Sequence, residues 1–173
     1  MTEQTKKKRL FFALWPSEKQ RQKVESAIEP YRGKLAGTYT ARDNWHLTLV
    51  FIGGFPEDHV PGLQEAARQI DCPALELQFD GIHFWKRPKI MCLYANYVPS
   101  QLLGLIRSLE SAAQAFGFKP EERPYRAHIT IARKARFFAP ITLAQPLEFQ
   151  WSGFHLVESV STPTGVQYKP LDQ

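Results

Sequence analysis

Apolar positions along the chain fall into short blocks with two different periods. Residues 9–15, RLFFALW, form an apolar, aromatic-rich run closed by Pro16, which predicts a buried strand. Ser17-Glu18-Lys19-Gln20 then has the form of a helix capping box, and Val24, Ala27 and Ile28 supply an apolar stripe up to Pro30. Residues 46–52, HLTLVFI, read as a strand ended by Gly53-Gly54. A second helix is expected over 58–70, with Val60, Leu63, Ala66, Ala67 and Ile70 on one side. From 74 to 84, Leu75, Leu77 and Phe79 alternate with Glu76, Gln78 and Asp80, the period of a half-buried strand, and Lys89 to Ala95 reads as the next. Leu102, Leu105, Ile106, Leu109, Ala112, Ala113 and Phe116 recur at three- and four-residue steps, a helix stopped by Gly117. Residues 127–133, 147–158 and 166–170 complete the strands.

Strands interleaved with three helices in this order describe an α+β fold with mainly antiparallel pairing. The two halves of the chain rhyme, because each has a long helix followed by a strand carrying His-x-Thr. A pseudo-twofold, two-lobed arrangement is therefore expected. No linker divides the chain, so residues 1–8 are read as a basic tail and 9–173 as a single domain.

His46-Leu47-Thr48 and His128-Ile129-Thr130 are the residues that carry chemistry. On a strand, residues two apart share a face. His46 and Thr48 thus project together, as do His128 and Thr130, while Leu47, Leu49, Ile129 and Ile131 turn into a core. Five His and nine Thr in 173 residues produce one such match by chance in roughly a quarter of chains. Two strand-borne copies arise in only about three chains per hundred. Paired imidazoles suit hydrolysis of a cyclic phosphodiester. One takes a proton from water and the other protonates the departing ribose oxygen, and histidine's affinity for protons is poised for both near neutral pH. The threonine hydroxyls can donate to the non-bridging oxygens, where charge builds up. The scheme requires neither metal nor cofactor, and no Cys/His/acid cluster at ligand spacing surrounds Cys72 or Cys92.

Charge narrows the partner. The chain carries 22 Lys and Arg against 17 Asp and Glu, a net charge of +5, which favours anionic ligands such as nucleic acid. The longest apolar stretch near the start, Leu10 to Trp15, is too short for a membrane span or a secretory signal core. A cytoplasmic monomer with reduced thiols and no membrane contact is the resulting expectation.

The segments His46 to Gly53 and His128 to Arg133 resemble the two signatures of the 2H phosphoesterases, most closely the RNA 2′,3′-cyclic phosphodiesterases historically called 2′-5′ RNA ligases. The opening RLFFALWP, the stretch Gly81 to Tyr94 with Arg87-Pro88, and the ending Ser161 to Leu171 with Gly165 and Tyr168 extend the resemblance over nearly the whole chain. It implies two lobes whose antiparallel sheets line a central cleft with helices outside, and opening of 2′,3′-cyclic phosphate RNA ends, such as those of tRNA fragments, to a 2′-phosphate, with reverse 2′-5′ joining as a second capability. By analogy His46 is the general acid toward the 3′ oxygen and His128 the general base for water, although the residues themselves allow the swap. Such proteins commonly have Pro before the second His. Ala127 stands there in this chain and costs rigidity of the strand entry rather than chemistry.

Arg126, Arg133, Trp45, Tyr125 and Phe11 are the candidate substrate-binding residues. Arg126 shares the face of His128 by parity. Arg133 lies an odd number of steps away, so it reaches the cleft only if the strand bulges. Trp45 and Tyr125 flank the motif strands and could stack on a terminal base, as could Phe11, Phe84 and Trp85 near the same elements. His59, His83 and His155 have no partner pattern and read as structural or surface residues. Two further readings remain: a phosphodiesterase for small cyclic nucleotides or ADP-ribose cyclic phosphate, and a non-catalytic RNA-binding module.

Overall fold

The computed structural model describes residues 4–171. Nine strands and three α-helices follow the order β1 (Lys7–Leu14), α1 (Glu18–Ile28), β2 (Thr38–Tyr39), β3 (Leu47–Pro56), α2 (Val60–Arg68), β4 (Leu75–Trp85), β5 (Ile90–Tyr94), α3 (Ser100–Gln114), β6 (His128–Arg133), β7 (Ile141–Trp151), β8 (His155–Thr162) and β9 (Gly165–Pro170). The capping box forms as expected. The Ser17 hydroxyl accepts from the Gln20 amide at 3.2 Å, and the Gln20 side chain accepts from the Ser17 amide at 2.8 Å. On α3, Leu102, Leu105, Ile106, Leu109 and Ala113 are buried, as the stripe requires.

All strand pairs are antiparallel, in the path β7-β4-β5-β6-β3-β1-β8-β9, with β2 beside β6. The path divides into two four-stranded halves, β7-β4-β5-β6 and β3-β1-β8-β9. They meet at one register pair, Leu47 with Ile129. The two lobes are therefore visible in the sheet, with a His-x-Thr strand innermost in each. They are not the two halves of the chain, since β8 and β9 cross back to join β1. One large core runs beneath both, containing Leu47, Ile129, Phe12, Phe79, Phe149 and the inner faces of α2 and α3.

Several boundaries differ from expectation. The run 147–158 is two strands. β7 ends at Trp151, the chain turns at Ser152-Gly153, and β8 starts at His155 in the other lobe. A continuous apolar pattern hid that crossover. β3 runs through Gly53-Gly54 to Pro56, because Gly53 takes φ +79° at an irregularity instead of ending the strand. The two-residue β2 was too short to carry a period. Lys7 and Lys8 belong to β1, and Lys8 Nζ lies 3.3 Å from Glu158, so the boundary after residue 8 falls inside a strand. Residues 1–3 of the expected tail lie outside the described residues.

Candidate active site

The single pair that joins the lobes also builds the site. Leu47 and Ile129 are fully buried, facing the core. Antiparallel pairing about them sets Thr48 across from His128 and His46 across from Thr130. All four side chains then share one face, with imidazoles on one diagonal and hydroxyls on the other. They line a cavity of about 910 Å³, together with Phe51, Trp85, Arg126 and Arg133 among others.

Both motif strands carry the same irregularity one residue past their threonine. On β3, Ala13 pairs with Thr48 and Phe12 with Val50, leaving Leu49 unmatched. On β6, Cys92 pairs with Thr130 and Met91 with Ala132, leaving Ile131 unmatched. Each bulge turns two successive residues inward, Leu49-Val50 and Ile131-Ala132, all at most 4% exposed. The next residue is thereby returned to the cavity side. That residue is Phe51 on β3 and Arg133 on β6, and both line the cavity. Regular strand parity would have turned Arg133 away, and the bulge is what brings it in. Gly37 lies against this bend, where a Cβ would come within 3.2 Å of the Arg133 carbonyl.

The two imidazoles are held alike. His46 Nδ1 lies 2.7 Å from the Asn44 carbonyl and His128 Nδ1 lies 2.9 Å from the Arg126 carbonyl. A carbonyl only accepts, so each Nδ1 carries the proton and donates it. Each Nε2 is left with a lone pair when the ring is neutral. Their surroundings differ. His46 stacks on Trp15 with centroids 5.2 Å apart and planes 11° from parallel, with Phe11 at 4.9 Å and the edge of Tyr168 at 5.0 Å. His128 meets one ring, Trp85, at 4.2 Å. Burial is the main reason both rings hold protons weakly. His46 is lowered to about 4, with its carbonyl bond opposing and the charges of Arg133 and His128 adding to the fall. His128 is lowered too, again opposed by its carbonyl bond, with Arg126 and Arg133 adding.

The other expected residues separate by position. Arg126 lines the cavity with its guanidinium 3.7 Å above the Trp85 ring. Tyr125 also lines it, and its hydroxyl donates 2.7 Å to the Thr48 carbonyl, bracing one motif strand on the approach to the other. Trp45 is corrected: it is 1% exposed within the core, because it precedes His46 by one step and takes the opposite face. Phe11 is 4% exposed and packs on His46, so it supports the imidazole rather than facing a ligand. Phe84 and Trp85 line the cavity as expected. Trp15, Tyr168 and Phe51 are site residues that sequence reasoning misses: parity from Thr48 points away from Phe51, and the other two approach His46 only through strand pairing. His83 packs on Tyr94 and His59 on Phe116. Among the described residues, no group of three or more His, Cys, Asp or Glu is placed to hold a metal, and no helix is long and apolar enough to cross a membrane.

Comparison with known proteins gives a consistent answer. The Escherichia coli protein named RNA 2′,3′-cyclic phosphodiesterase is 32% identical over 168 residues, covering 94% of this chain and 93% of its own length. Its Thermotoga maritima namesake is 27% identical over 176 residues, covering 94% and 92%. Among solved structures, E. coli LigT complexed with 3′-AMP superposes with a TM-score of 0.84 at 27% identity over 96% of both chains. The family model described as LigT like Phosphoesterase matches twice, over residues 14–92 and 95–168, with one His-x-Thr in each match. Two linked copies of that motif strand, meeting at Leu47 and Ile129, are what the double match describes, and the chain belongs to the LigT-like phosphoesterase family.

Proposed function

We propose that the protein hydrolyses 2′,3′-cyclic phosphate ends of RNA to 2′-phosphates without a metal or organic cofactor, by acid-base catalysis from His46 and His128. The observation that carries this reading is the diagonal placement of two imidazoles and two hydroxyls on one cavity face. In-line attack needs a base on one side of phosphorus and an acid on the other, and diagonal imidazoles flank a phosphate in that way. One Nε2 takes a proton from water as the water oxygen bonds to phosphorus. The P–O3′ bond breaks, and the other ring, which enters the reaction as an imidazolium protonated on Nε2 as well as Nδ1, delivers its Nε2 proton to O3′. Thr48 and Thr130 donate to the non-bridging oxygens, and Arg133 and Arg126 supply positive charge. Phe51, 44% exposed at the cavity, offers a face on which the terminal base can stack. The names borne by the relatives agree with this substrate. A monomer acting in the cytoplasm on ends such as those of tRNA fragments fits the same reading. Reversal of the same steps would join ends through a 2′-5′ bond.

His46 is assigned as the acid toward O3′ and His128 as the base for water, and the like anchoring of the two rings through Nδ1 also allows the opposite order. A 3′-deoxynucleoside 2′-(para-nitrophenyl) phosphate, which has no 3′ hydroxyl to attack its own phosphorus, distinguishes the two assignments. Its leaving group needs no acid, so the variant lacking the acid keeps most of its activity on this substrate and the variant lacking the base does not. For the reaction itself, an oligonucleotide ending in a 2′,3′-cyclic phosphate is incubated in EDTA. The expected product is a 2′-phosphate. His46→Ala and His128→Ala should each lower kcat about a hundredfold to ten-thousandfold while remaining folded. Undiminished turnover in either variant sinks the two-histidine mechanism.

A further inference from the structure

The positive charge of this protein is not spread evenly. Lys86, Arg87 and Lys89 form the turn between β4 and β5, and Arg126, Arg133, Lys134 and Arg136 flank β6. All seven are exposed. None takes part in the ion pairs among the described residues, which engage Lys6, Lys8, Arg21, Arg32, Arg42, Arg68 and Arg123. Setting the seven unpaired cations of the patch aside leaves 15 of the chain's Lys and Arg to face 17 Asp and Glu, so the rest of the molecule is slightly acidic. No Asp or Glu occurs anywhere in 81–109 or 123–147.

The two basic segments are bound to each other. The Ala135 amide donates 2.9 Å to the Lys89 carbonyl, and Met91 pairs with Ala132. Lys89 at φ 51° and Lys134 at φ 50° both take the left-handed conformation, so the backbone turns at both edges of the patch. The patch is also continuous with the cavity. Lys86, Arg87, Arg126 and Arg133 line the cavity, whereas Lys89, Lys134 and Arg136 lie beyond it. An aromatic pair bridges the same boundary. Phe84 lines the cavity, and Phe137, 80% exposed, meets its ring edge-on at 5.9 Å.

We infer that this surface binds the sugar-phosphate backbone of a single-stranded RNA 5′ of the terminal nucleotide, with Phe137 as a stacking platform for a base outside the cavity. The inference rests on the proposed function and deepens it. A 2′,3′-cyclic phosphate occurs only at a 3′ terminus, so a strand held in the cavity can continue only through the 5′ oxygen of its last nucleotide. Cations spaced along one edge, interleaved with an exposed ring, are the features that follow a single strand without reading its sequence. A protein partner would need a buried apolar centre, and the patch offers one exposed ring among charges.

The test compares a 2′,3′-cyclic mononucleotide with an octanucleotide bearing the same end. The variants are Lys89→Gln/Lys134→Gln/Arg136→Gln and Phe137→Ala, all outside the cavity. The wild-type protein should prefer the octanucleotide. The triple variant should lose about tenfold in kcat/KM on the octanucleotide, with the mononucleotide rate within about twofold of wild type. The slope of log kcat/KM against log salt for the octanucleotide should shrink by about 2, from roughly 0.7 per lost phosphate contact. Phe137→Ala should lose about fivefold or more on the octanucleotide alone. An unchanged octanucleotide rate and salt slope in the triple variant overturns the track and leaves the proposed reaction standing. Equal losses on both substrates overturn it too, since the cations would then act on the cavity. Turnover of neither substrate by the wild-type protein removes the reaction and the track together.

Discussion

At His46 three aromatic rings replace water, and the imidazole is consequently kept neutral well below its ordinary range. This has a consequence for stability. The unfolded chain takes up a proton near 6.5, whereas the folded His46 does so only near 4, so the unfolded state binds more protons between those values. Stability should be level above about pH 6.5 and fall as pH drops toward 4, by roughly 3 kcal/mol from His46 at most, with His128 adding in the same direction. Urea melts of the wild-type and His46→Gln proteins between pH 7.5 and 4.5 measure this, and parallel curves would contradict it. The threonines make a different prediction. Thr48→Val and Thr130→Val keep the shape of the side chain but remove its donor. Each should lower kcat roughly a hundredfold with little change in melting temperature. His and Thr two apart on apolar strands made both pairs legible from the chain alone. The misplaced Trp45 follows from proximity in sequence being taken for proximity in space, when strand parity already turned it inward.

At the scale of the element, the paired bulges on β3 and β6 decide what stands beside the motifs. They put Phe51 and Arg133 at corresponding positions, one apolar and one cationic, so a site built on near-twofold geometry is chemically asymmetric. Arg133→Ala should raise KM for the cyclic phosphate about tenfold with a smaller effect on kcat, because in the proposed reaction its charge faces the anion both before and during the chemical step. A KM unchanged from wild type would argue that the guanidinium faces solvent. Tyr125 acts on the element rather than on the ligand. Its hydroxyl ties the residues entering β6 to the Thr48 carbonyl on β3, two residues before the buried Ala127. Tyr125→Phe should cost about 1 kcal/mol in stability and lower kcat several-fold on every substrate alike. Bulges leave no mark in the hydrophobic pattern, since Leu49-Val50 and Ile131-Ala132 read equally well as regular strand.

Across the whole molecule, two four-stranded halves share one core and touch in the sheet at a single residue pair. Side chains under that pair therefore set the spacing of the two imidazoles. Leu47→Ala should destabilise the protein by about 2–5 kcal/mol, as should Leu63→Ala on α2, since both leucines are fully buried. Only the first should also lower kcat at a temperature where both variants are folded. Matched losses of activity in the two would show that the join carries no special role. The charge asymmetry belongs to this scale as well, because seven cations from separate stretches converge on one edge of the cleft.

The sequence by itself determined the α+β class, the three helices, and the pairing of each histidine with a threonine on one face. These are local properties: periodicity, capping and strand parity act over a few residues. Tertiary structure decided which strands became neighbours, that β8 and β9 return to the lobe of β1, and that His46 lies in a deeper aromatic cage than His128. It also decided that Arg133 enters the cavity and Trp45 does not. The physical reason is that pairing, bulging and burial arise from contacts between segments far apart in the chain, and no window of the sequence contains both partners.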